Sequence, residues 1–295
     1  MRSDLRQSYD HCERIARRSG SSFFLAFRAL PREKYREMCV LYAFMRRTDD
    51  LSDDPTLDVT ARSVLLEQWQ SSLAAALRGE DISCSILPAM ADVAIRRQLP
   101  HEYLHEAIRG VQGDLVSRTF ETFPELEHYC YQVAGVVGLS CLSIWGYEGE
   151  EPRELATACG TAFQLTNILR DLKEDAGNGR IYLPQQELRE FSYTPADLLA
   201  GNQGDAFREL MQFQVQRAWS YYDQALPLRH RLSPDGKRIF VGLFNLYSSL
   251  LKQIERANYD VYSRRIRVPF WTKANIALNC LLRREPVISP EPLAK

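Results

Sequence analysis

Two acidic clusters attract attention because each directly follows a long apolar stretch. DDLSD at 49–53 follows CVLYAFMRRT at 39–48, and DLKED at 171–175 follows LATACGTAFQLTNILR at 155–170. The apolar stretches are typical of helices that are buried on nearly all sides. Ionised carboxylates at the end of a buried helix need a bound cation or a basic partner. Each cluster therefore predicts a binding site.

The spacing within the clusters indicates the chemistry. Asp49 and Asp53 are four residues apart, as are Asp171 and Asp175, so each pair shares one helix face with Cβ atoms ~6 Å apart. At an effective dielectric of about 20, two such charges repel by roughly 3 kcal/mol. Mg²⁺ would offset this repulsion, since it binds one or two carboxylates and completes its shell with water and phosphate oxygens.

Further polar residues extend the second cluster along its helix. At intervals of three or four residues, the stripe consists of Gln164, Asn167, Asp171 and Asp175. Arginines come shortly before both clusters, at Arg46, Arg47 and Arg170. A solvated acidic helix end would explain one cluster, but two clusters with matching spacing favour a site for metal and phosphate.

The elements that carry these residues are predicted to be helices throughout. Apolar residues recur at helical spacing, and no long alternating run or hairpin turn is found. After an N-terminal helix that ends at Gly20, helices are predicted over 31–50, 60–78, 86–98, 101–117, 124–146, 152–174, 204–230, 235–262 and 269–284. No repeat or flexible linker divides the chain. We therefore predict an all-α single domain over 1–295, with the Pro-rich tail 285–295 frayed.

Composition limits the function classes. The net charge of −1 gives no general attraction to nucleic acid, so no nucleic-acid partner is expected. The seven cysteines include no CxxC pair and read as core residues of a reducing compartment. The N-terminus lacks the apolar core of a signal peptide, and the low-charge run 133–147 is too short to span a bilayer. A cytoplasmic protein is expected.

One competing motif is HEYLH at 101–105, which matches the HExxH pattern of zinc hydrolases. Pro100 places it in the first turn of a helix, near the surface, and no third ligand is marked downstream. The zinc interpretation is therefore kept only as an alternative. No Gly-rich phosphate loop supports a built-in nucleotide fold.

Four segments carry a family resemblance, and they occur in a fixed order. They are GSSFFLAFRALP, LYAFMRRTDDLSDD, YCYQVAGVVGLSCLSIWGY and FQLTNILRDLKEDAGNGRIYLPQQEL. Over about residues 10–284 the chain resembles the squalene/phytoene synthase family. The most specific stretch is NILRDLKEDAGNGRIYLP, because it joins the second acidic cluster to the RIYLP turn. GSSF, YCYQVAGVVGL and YDVYSRRIR look most like bacterial presqualene diphosphate or squalene synthases.

The resemblance implies an isoprenoid synthase fold, with a central apolar cavity flanked by two Asp-rich helices. It also implies a Mg²⁺-dependent prenyltransferase that condenses two prenyl diphosphates head to head. The main expectation is that two farnesyl diphosphates give presqualene diphosphate or squalene, with NADPH needed only for squalene. The alternative is phytoene from two geranylgeranyl diphosphates. A head-to-tail prenyltransferase, a terpene cyclase and a noncatalytic family subunit are further alternatives.

Individual roles also follow from the resemblance. The implied metal ligands are Asp49, Asp53, Asn167, Asp171 and Asp175. The implied catalytic residues are Asp49, Asp53, Asp171, Asp175 and Tyr129. The implied substrate-binding residues are Tyr42, Arg46, Gln164, Asn167, Arg170, Arg180, Tyr247 and Arg265.

The sequence departs from the family pattern in SGSSF at 19–23, which lacks the usual His or Lys. Arg17 or Arg18 is expected to supply that diphosphate contact. Phe23, Phe27 or Phe163 is expected to limit the depth of the prenyl chain. The small residues of the stretch AGVVG at 134–138 favour either close approach of the prenyl chain or tight helix packing.

The segment 263–284 predicts peripheral membrane contact. It combines Arg264, Arg265, Arg267, Lys273, Arg283 and Arg284 with Phe270, Trp271, Ile276, Leu278, Leu281 and Leu282. Basic residues beside aromatic and aliphatic ones are typical of a helix lying in the interface of an anionic bilayer. The competing interpretation is that the apolar side caps the core while Arg264 and Arg265 serve the diphosphates.

Overall fold

The computed structural model describes residues 3–19, 22–115, 119–149 and 152–281. In these ranges the chain forms fourteen α-helices and no strand, and backbone bridges are limited to Thr119–Ile181 and Tyr147–Leu232. The prediction of an all-α protein is confirmed. The tail 285–295, predicted to be frayed, lies outside the described residues.

The helices in chain order are α1 (Ser3–Arg18), α2 (Ser22–Phe27), α3 (Arg32–Ser52), α4 (Val59–Leu77), α5 (Leu87–Arg96), α6 (His101–Gly113), α7 (Phe123–Cys130), α8 (Val136–Trp145), α9 (Arg153–Gly177), α10 (Gln185–Glu190), α11 (Pro195–Ala200), α12 (Asp205–Ala225), α13 (Pro234–Arg256) and α14 (Phe270–Leu281). A π-helical turn, Tyr131–Gly135, joins α7 to α8, and a 3₁₀ turn, Leu226–His230, follows α12. None of these helices is both long and apolar enough to cross a bilayer.

Several helix boundaries differ from the predictions for local reasons. The helix predicted over 235–262 ends at Arg256, because Asn258 and Tyr259 take positive φ angles of 51° and 63°, which a helix cannot contain. The helix predicted over 204–230 tightens to 3₁₀ after Ala225, where Pro227 lacks the N–H of a regular turn. The helix predicted over 101–117 ends at Gly113.

Three short helices were not predicted. α2, α10 and α11 have six residues each. A helix of less than two turns shows too few positions for an apolar period to be visible. Of the three, α11 carries a clear local start signal, a capping box between Thr194 and Asp197.

Helices α3 and α9 position the acidic clusters. α9 packs against α8, α12 and α13, while α3 packs against α1, α4, α5, α6 and α8. Each cluster lies at the C-terminal end of its helix, and neither helix has a basic residue in its last turn. The partial negative charge of a helix C-terminus disfavours carboxylates there. The local structure thus increases the need for a bound cation.

Candidate active site

The two acidic clusters lie close together, and one of their carboxylates lines an apolar cavity. Arg180, just beyond α9, places a guanidinium nitrogen 3.7 Å from Asp53 Oδ1, and its positive charge partly offsets the raised pKa of Asp175. Asp49 lines the same cavity as Asn167 and Gln164 of α9. The structure therefore brings residues of both clusters near one another.

Two carboxylates at this site hold protons unusually tightly. Burial, followed by the nearby charge of Asp53, raises the pKa of Asp49 to about 7. Burial and then Asp171 raise the pKa of Asp175 to about 7. Asp49 remains accessible to water from the cavity, but the surrounding protein still disfavours its charged form. A divalent cation would replace these protons.

Asp171 is held by two arginines. Arg170 donates from Nε to Asp171 Oδ1 at 2.8 Å and from a second nitrogen to Oδ2. Arg265 donates to Oδ1 at 3.1 Å and pairs with Glu174 at 3.1 Å. Guanidinium groups pair with phosphate oxygens in the same forked geometry. Both guanidinium groups therefore lie directly beside Asp171.

Asp114, at the C-terminal cap of α6, is a site residue that the sequence did not reveal. It accepts hydrogen bonds from Tyr129 Oη at 2.8 Å and Tyr182 Oη at 3.3 Å. Its charge contributes to the raised pKa of both Asp49 and Asp175, which places it near both clusters. It has no carboxylate four residues away, so the spacing argument could not find it.

Tyr129 is buried, contacts Asp114 and does not line the cavity. Its ring is 5.2 Å from that of Tyr182, nearly parallel to it, and 5.4 Å from that of Phe120. Burial and then the charge of Asp114 raise the pKa of Tyr129 well above its usual value. Tyr129 therefore acts as a neutral hydroxyl donor that orients Asp114.

The cavity extends from the acidic mouth into an apolar interior of about 340 Å³. Its lining consists of Asp49, Val133, Ala134, Val137, Gly138, Cys141, Trp145, Ala156, Cys159, Gly160, Phe163, Gln164, Asn167, Leu228, Phe240, Leu243 and Tyr247. Along α9, the wall from Asn167 to Ala156 is about 16 Å long at 1.5 Å per residue. Most of the lining is apolar, and its polar residues include Asp49, Gln164 and Asn167.

The middle of the cavity wall is aromatic and uncharged. Phe163 and Tyr247 stack with ring centres 4.3 Å apart and an interplanar angle of 9°, and Tyr247 is hydrogen-bonded to Asn167. Burial raises the pKa of Cys141 to about 12 and raises that of Cys159 as well, so both thiols stay neutral. The wall therefore offers ring faces but no nucleophile.

The predicted depth-limiting residues are only partly found on the wall. Phe163 lines the cavity, whereas Phe27 is buried beside Tyr42, and the Phe23 side chain lies outside the described residues. The bulky residues at the inner end are Trp145, Leu228, Phe240 and Leu243. They come from α8, the 3₁₀ turn and α13, so no sequence pattern links them.

Small residues bring the π-helical turn and α9 into backbone contact. A Cβ added at Gly160 would lie 2.5 Å from the Ala134 carbonyl oxygen, and one at Gly138 would lie 2.9 Å from the Ala156 carbonyl oxygen. Ala134 and Gly138 also line the cavity. The stretch 134–138 therefore both packs closely against α9 and forms part of the cavity wall.

Comparison with known proteins identifies the family. The squalene/phytoene synthase profile matches residues 16–272. The chain belongs to the squalene/phytoene synthase family. It is 37% identical over 284 residues to a 15-cis-phytoene synthase of Synechococcus elongatus, which covers 92% of this chain and 91% of the relative. It is 38% identical over 279 residues to a phytoene synthase of Arthrospira platensis, with 90% of each chain covered.

Solved structures of the squalene/phytoene synthase family share the fold. A dehydrosqualene synthase superposes with a TM-score of 0.83 at 26% identity, over 94% of this chain and 96% of the other. A squalene synthase from Alicyclobacillus acidocaldarius gives 0.81 at 28% identity, over 88% and 97%. The predicted isoprenoid synthase fold is confirmed. Squalene/phytoene synthases are prenyltransferases, which confirms the predicted enzyme class.

Squalene/phytoene synthases depend on a divalent metal, and the residues at this mouth fit one. The donors are hard carboxylate and amide oxygens, and two of the carboxylates have a raised pKa. Within the described ranges, no three His, Cys, Asp or Glu side chains are arranged to hold an ion by themselves. Mg²⁺ does not require three, because phosphate oxygens of a substrate complete its shell.

Of the eight predicted substrate contacts, only Gln164, Asn167 and Tyr247 line the cavity. Tyr42 and Arg46 are among the five that do not. Arg46 pairs with Asp50 at 2.8 Å and lines a separate depression with Arg47. Tyr42 packs edge-on against Phe27, with ring centres 6.4 Å apart. The substrate-binding, metal-binding and catalytic roles of all the site residues remain predictions.

The SGSSF segment is only partly described, because residues 20 and 21 and the Ser22 and Phe23 side chains lie outside the described part. Arg17, expected to supply a diphosphate contact, pairs with Glu13 at 3.0 Å.

The HExxH motif gains no support as a zinc site. Its Glu102 accepts from Arg109 at 2.8 Å, and this hydrogen bond lowers the Glu102 pKa.

Proposed function

We propose that this prenyltransferase joins two geranylgeranyl diphosphates head to head to form phytoene, with Mg²⁺ as its metal. The relatives at 37% and 38% identity are phytoene synthases, which supports this substrate. The farnesyl route to presqualene diphosphate or squalene is the second candidate. It is supported by solved relatives at 26% and 28% identity.

The observation that carries the proposal is the pair of closely spaced acidic clusters at the polar end of one apolar cavity. Mg²⁺, when bound, neutralises diphosphate charge and makes it a better leaving group. Asp49 and Asp53 on one side, and Asn167, Asp171 and Asp175 on the other, would hold the metal. Arg170, Arg180 and Arg265 would take up the charge that develops on the leaving diphosphate.

The cavity wall suits the reaction that follows. As the allylic C–O bond breaks, its electron pair leaves with the diphosphate, and positive charge develops on the prenyl chain. The Phe163 and Tyr247 ring faces stabilise that charge, and the apolar lining keeps water away until the second double bond attacks. Loss of a proton closes a cyclopropyl diphosphate. Departure of its diphosphate, rearrangement and loss of another proton give phytoene without a reductant. Squalene would instead require the cyclopropyl diphosphate made from two farnesyl diphosphates, together with hydride from NADPH.

Product analysis tests the proposal. Purified protein is incubated with farnesyl or geranylgeranyl diphosphate and Mg²⁺, with and without NADPH, and the extracted products are identified by chromatography and mass spectrometry. We expect C40 phytoene from geranylgeranyl diphosphate, unaffected by NADPH. Efficient turnover of farnesyl diphosphate alone would replace the C20 assignment with the C15 candidate.

We further propose that residues 1–295 act as one domain in the cytoplasm, in peripheral contact with a membrane through 263–284. Phe270 and Trp271 at the start of α14 are 73% and 81% exposed, which supports this contact. α14 also packs against α2 and α13, so it covers the core as well. Arg283, Arg284 and Leu282 of this segment lie outside the described residues.

A further inference from the structure

A second cationic site lies beyond the end of α13. A depression of about 320 Å³ is lined by Gln253, Arg256, Ala257, Arg264, Arg265, Ile266 and Arg267. It therefore has four guanidinium groups and an amide in its wall, and no carboxylate. It differs from the catalytic mouth, where carboxylates and arginines alternate.

Most of these charges are not neutralised within the protein. Arg265 pairs with Asp171 and Glu174. For Arg256, Arg264 and Arg267, the described part of the chain offers no ion pair. Like charges gathered around one depression repel each other, and an anion between them would relieve that repulsion.

The nearby acidic side chains are directed to other partners. Glu255 accepts a hydrogen bond from the Trp219 indole N–H at 3.1 Å. Asp260 accepts from the Ser263 backbone N–H at 2.9 Å. Neither carboxylate lines the depression.

The backbone holds the arginines on the outer surface. The segment 265–269 is non-helical, and its buried residues are Ile266 and Val268. Arg265 and Arg267 alternate with them and are exposed. The apolar anchors therefore fix the arginines in place facing solvent.

An exposed aromatic pair adjoins this basic depression. Phe270 and Trp271 begin three residues after Arg267, and their ring centres are 5.5 Å apart in an edge-to-face arrangement. With 73% and 81% of their surfaces exposed, they form an apolar patch bordered by cations. Aromatic groups beside arginines match the chemistry of a bilayer interface, where acyl chains and phosphates are adjacent.

We propose that the depression formed by Gln253, Arg256, Arg264 and Arg267 binds the phosphate headgroup of an anionic phospholipid, while Phe270 and Trp271 enter the bilayer interface. This inference rests on the proposed membrane contact and adds a discrete headgroup site to it. An arginine guanidinium group can donate two parallel hydrogen bonds to the oxygens of one phosphate. General attraction between a basic protein surface and an anionic bilayer needs no such paired hydrogen bonds.

The proposed headgroup site lies next to a depression that contains Asp171 of the second acidic cluster. Arg264 and Arg265 also line a neighbouring depression that contains Arg170 and Asp171. The headgroup site and the catalytic mouth are thus joined by two shared arginines. A prenyl diphosphate held in a bilayer carries its diphosphate at headgroup level, and docking would present it beside Asp171.

The test is binding of the full chain to phosphatidylcholine vesicles with and without phosphatidylglycerol, measured by flotation in the absence of substrate and metal. The decisive variant is Arg256→Lys/Arg267→Lys, which keeps the charge but removes the forks. We expect roughly tenfold weaker binding to vesicles with phosphatidylglycerol. Arg6→Lys/Arg14→Lys on the exposed side of α1 is the matched control and should bind like wild type.

Two further variants define the contact. Arg256→Gln/Arg267→Gln should bind about 25-fold more weakly, since each basic residue near an anionic surface contributes about a fivefold gain. Trp271→Ala should bind vesicles that contain phosphatidylglycerol with roughly tenfold lower affinity, because the indole ring no longer enters the bilayer interface.

The outcomes separate the possible failures. If wild type floats with phosphatidylglycerol vesicles and the Lys variant binds equally well, attraction is diffuse and the headgroup site is wrong. If wild type does not float at all, the membrane contact itself is wrong. If sedimentation velocity shows a dimer that Trp271→Ala dissociates, with no vesicle binding, this face instead joins two copies. None of these results depends on which prenyl diphosphate is the substrate.

Discussion

At the scale of single residues, Asp49 and Asp175 determine how the site responds to pH. Both have a pKa of about 7, because burial and neighbouring carboxylates disfavour their ionised forms. An ordinary aspartate would be ionised throughout the physiological range. With a pKa of about 7, these two residues instead carry a proton part of the time near neutral pH.

The first prediction concerns the stability of the metal-free protein. Because the folded pKa exceeds the unfolded value of 3.8, the folded state binds more protons between about pH 4 and pH 7, and stability falls as pH rises through that window. Asp49→Asn should therefore raise the melting temperature most at about pH 8 and clearly less at about pH 5, with each kcal/mol worth about 2–4 °C.

The melting temperature of the variant must be compared with that of the wild type at each pH, because two histidines change the stability with pH in the opposite direction. Burial lowers the pKa of His11 and His105, which favours stability at higher pH. Thermal melts of wild type and variant at each pH cancel this contribution. A destabilised Asp49→Asn at about pH 8 would contradict the assigned repulsion.

Asp114 leads to a second prediction. Its charge raises the pKa of Asp49 and Asp175, so Asp114→Asn should move the acid limb of the rate profile to lower pH. The measurement is kcat/KM against pH with saturating Mg²⁺. Tyr129→Phe, which removes one hydrogen bond to Asp114 but no charge, is the control and should leave the limb nearly in place. An unchanged limb in Asp114→Asn would show that Asp114 does not couple to the clusters.

The site residues that could be predicted from the sequence are those with a regular spacing. Asp49, Asp53, Asp171 and Asp175 could be found because i,i+4 spacing predicts a shared face. Asp114 could not, because it stands alone at the end of α6 and only folding brings it near both clusters.

At the scale of elements, the contact between α9 and the π-helical turn shapes the cavity wall. Between α7 and α8, the hydrogen bonds of the π-helical turn span five residues instead of the four of an α-helix. Such turns are common at functional sites. Gly160 lets its backbone approach Ala134 closely. Periodicity predicted one helix over 124–146, but it could not predict the π turn, which has no distinct residue signature.

A third prediction tests this contact. Gly160→Ala would place a Cβ 2.5 Å from the Ala134 carbonyl oxygen, so the helices must separate. We expect a loss of about 1–3 kcal/mol in unfolding free energy, typical of overpacking. Gly177→Ala on the same helix is the control, since nothing lies within 4 Å of its Cβ. Chemical denaturation of both proteins gives the comparison, and equal stability would argue against backbone contact.

At the scale of the whole molecule, the cavity is a product of assembly. Its walls come from α3, the π-helical turn, α8, α9, the 3₁₀ turn and α13. The all-α class could be predicted because each helix carries its own apolar period. The inner end of the cavity could not, because Trp145, Leu228 and Phe240 meet only through packing of distant elements.

The central claim is that both acidic clusters act as one site for metal and diphosphate. The most direct measurement is the rate of diphosphate release from geranylgeranyl diphosphate with Mg²⁺ in wild type, Asp49→Asn and Asp171→Asn, beside thermal melts of each protein. Both variants should remain folded and lose at least about a hundredfold in rate, since roughly 3 kcal/mol of transition-state stabilisation is removed.

The matched control for this measurement is Asp54→Asn. Asp54 adjoins the first cluster but uses its carboxylate to accept from Thr56, at 2.9 Å from the backbone N–H and 2.6 Å from the hydroxyl. Its variant should release diphosphate at nearly the wild-type rate. A near wild-type rate in Asp49→Asn or Asp171→Asn would contradict the claim that the two clusters work together.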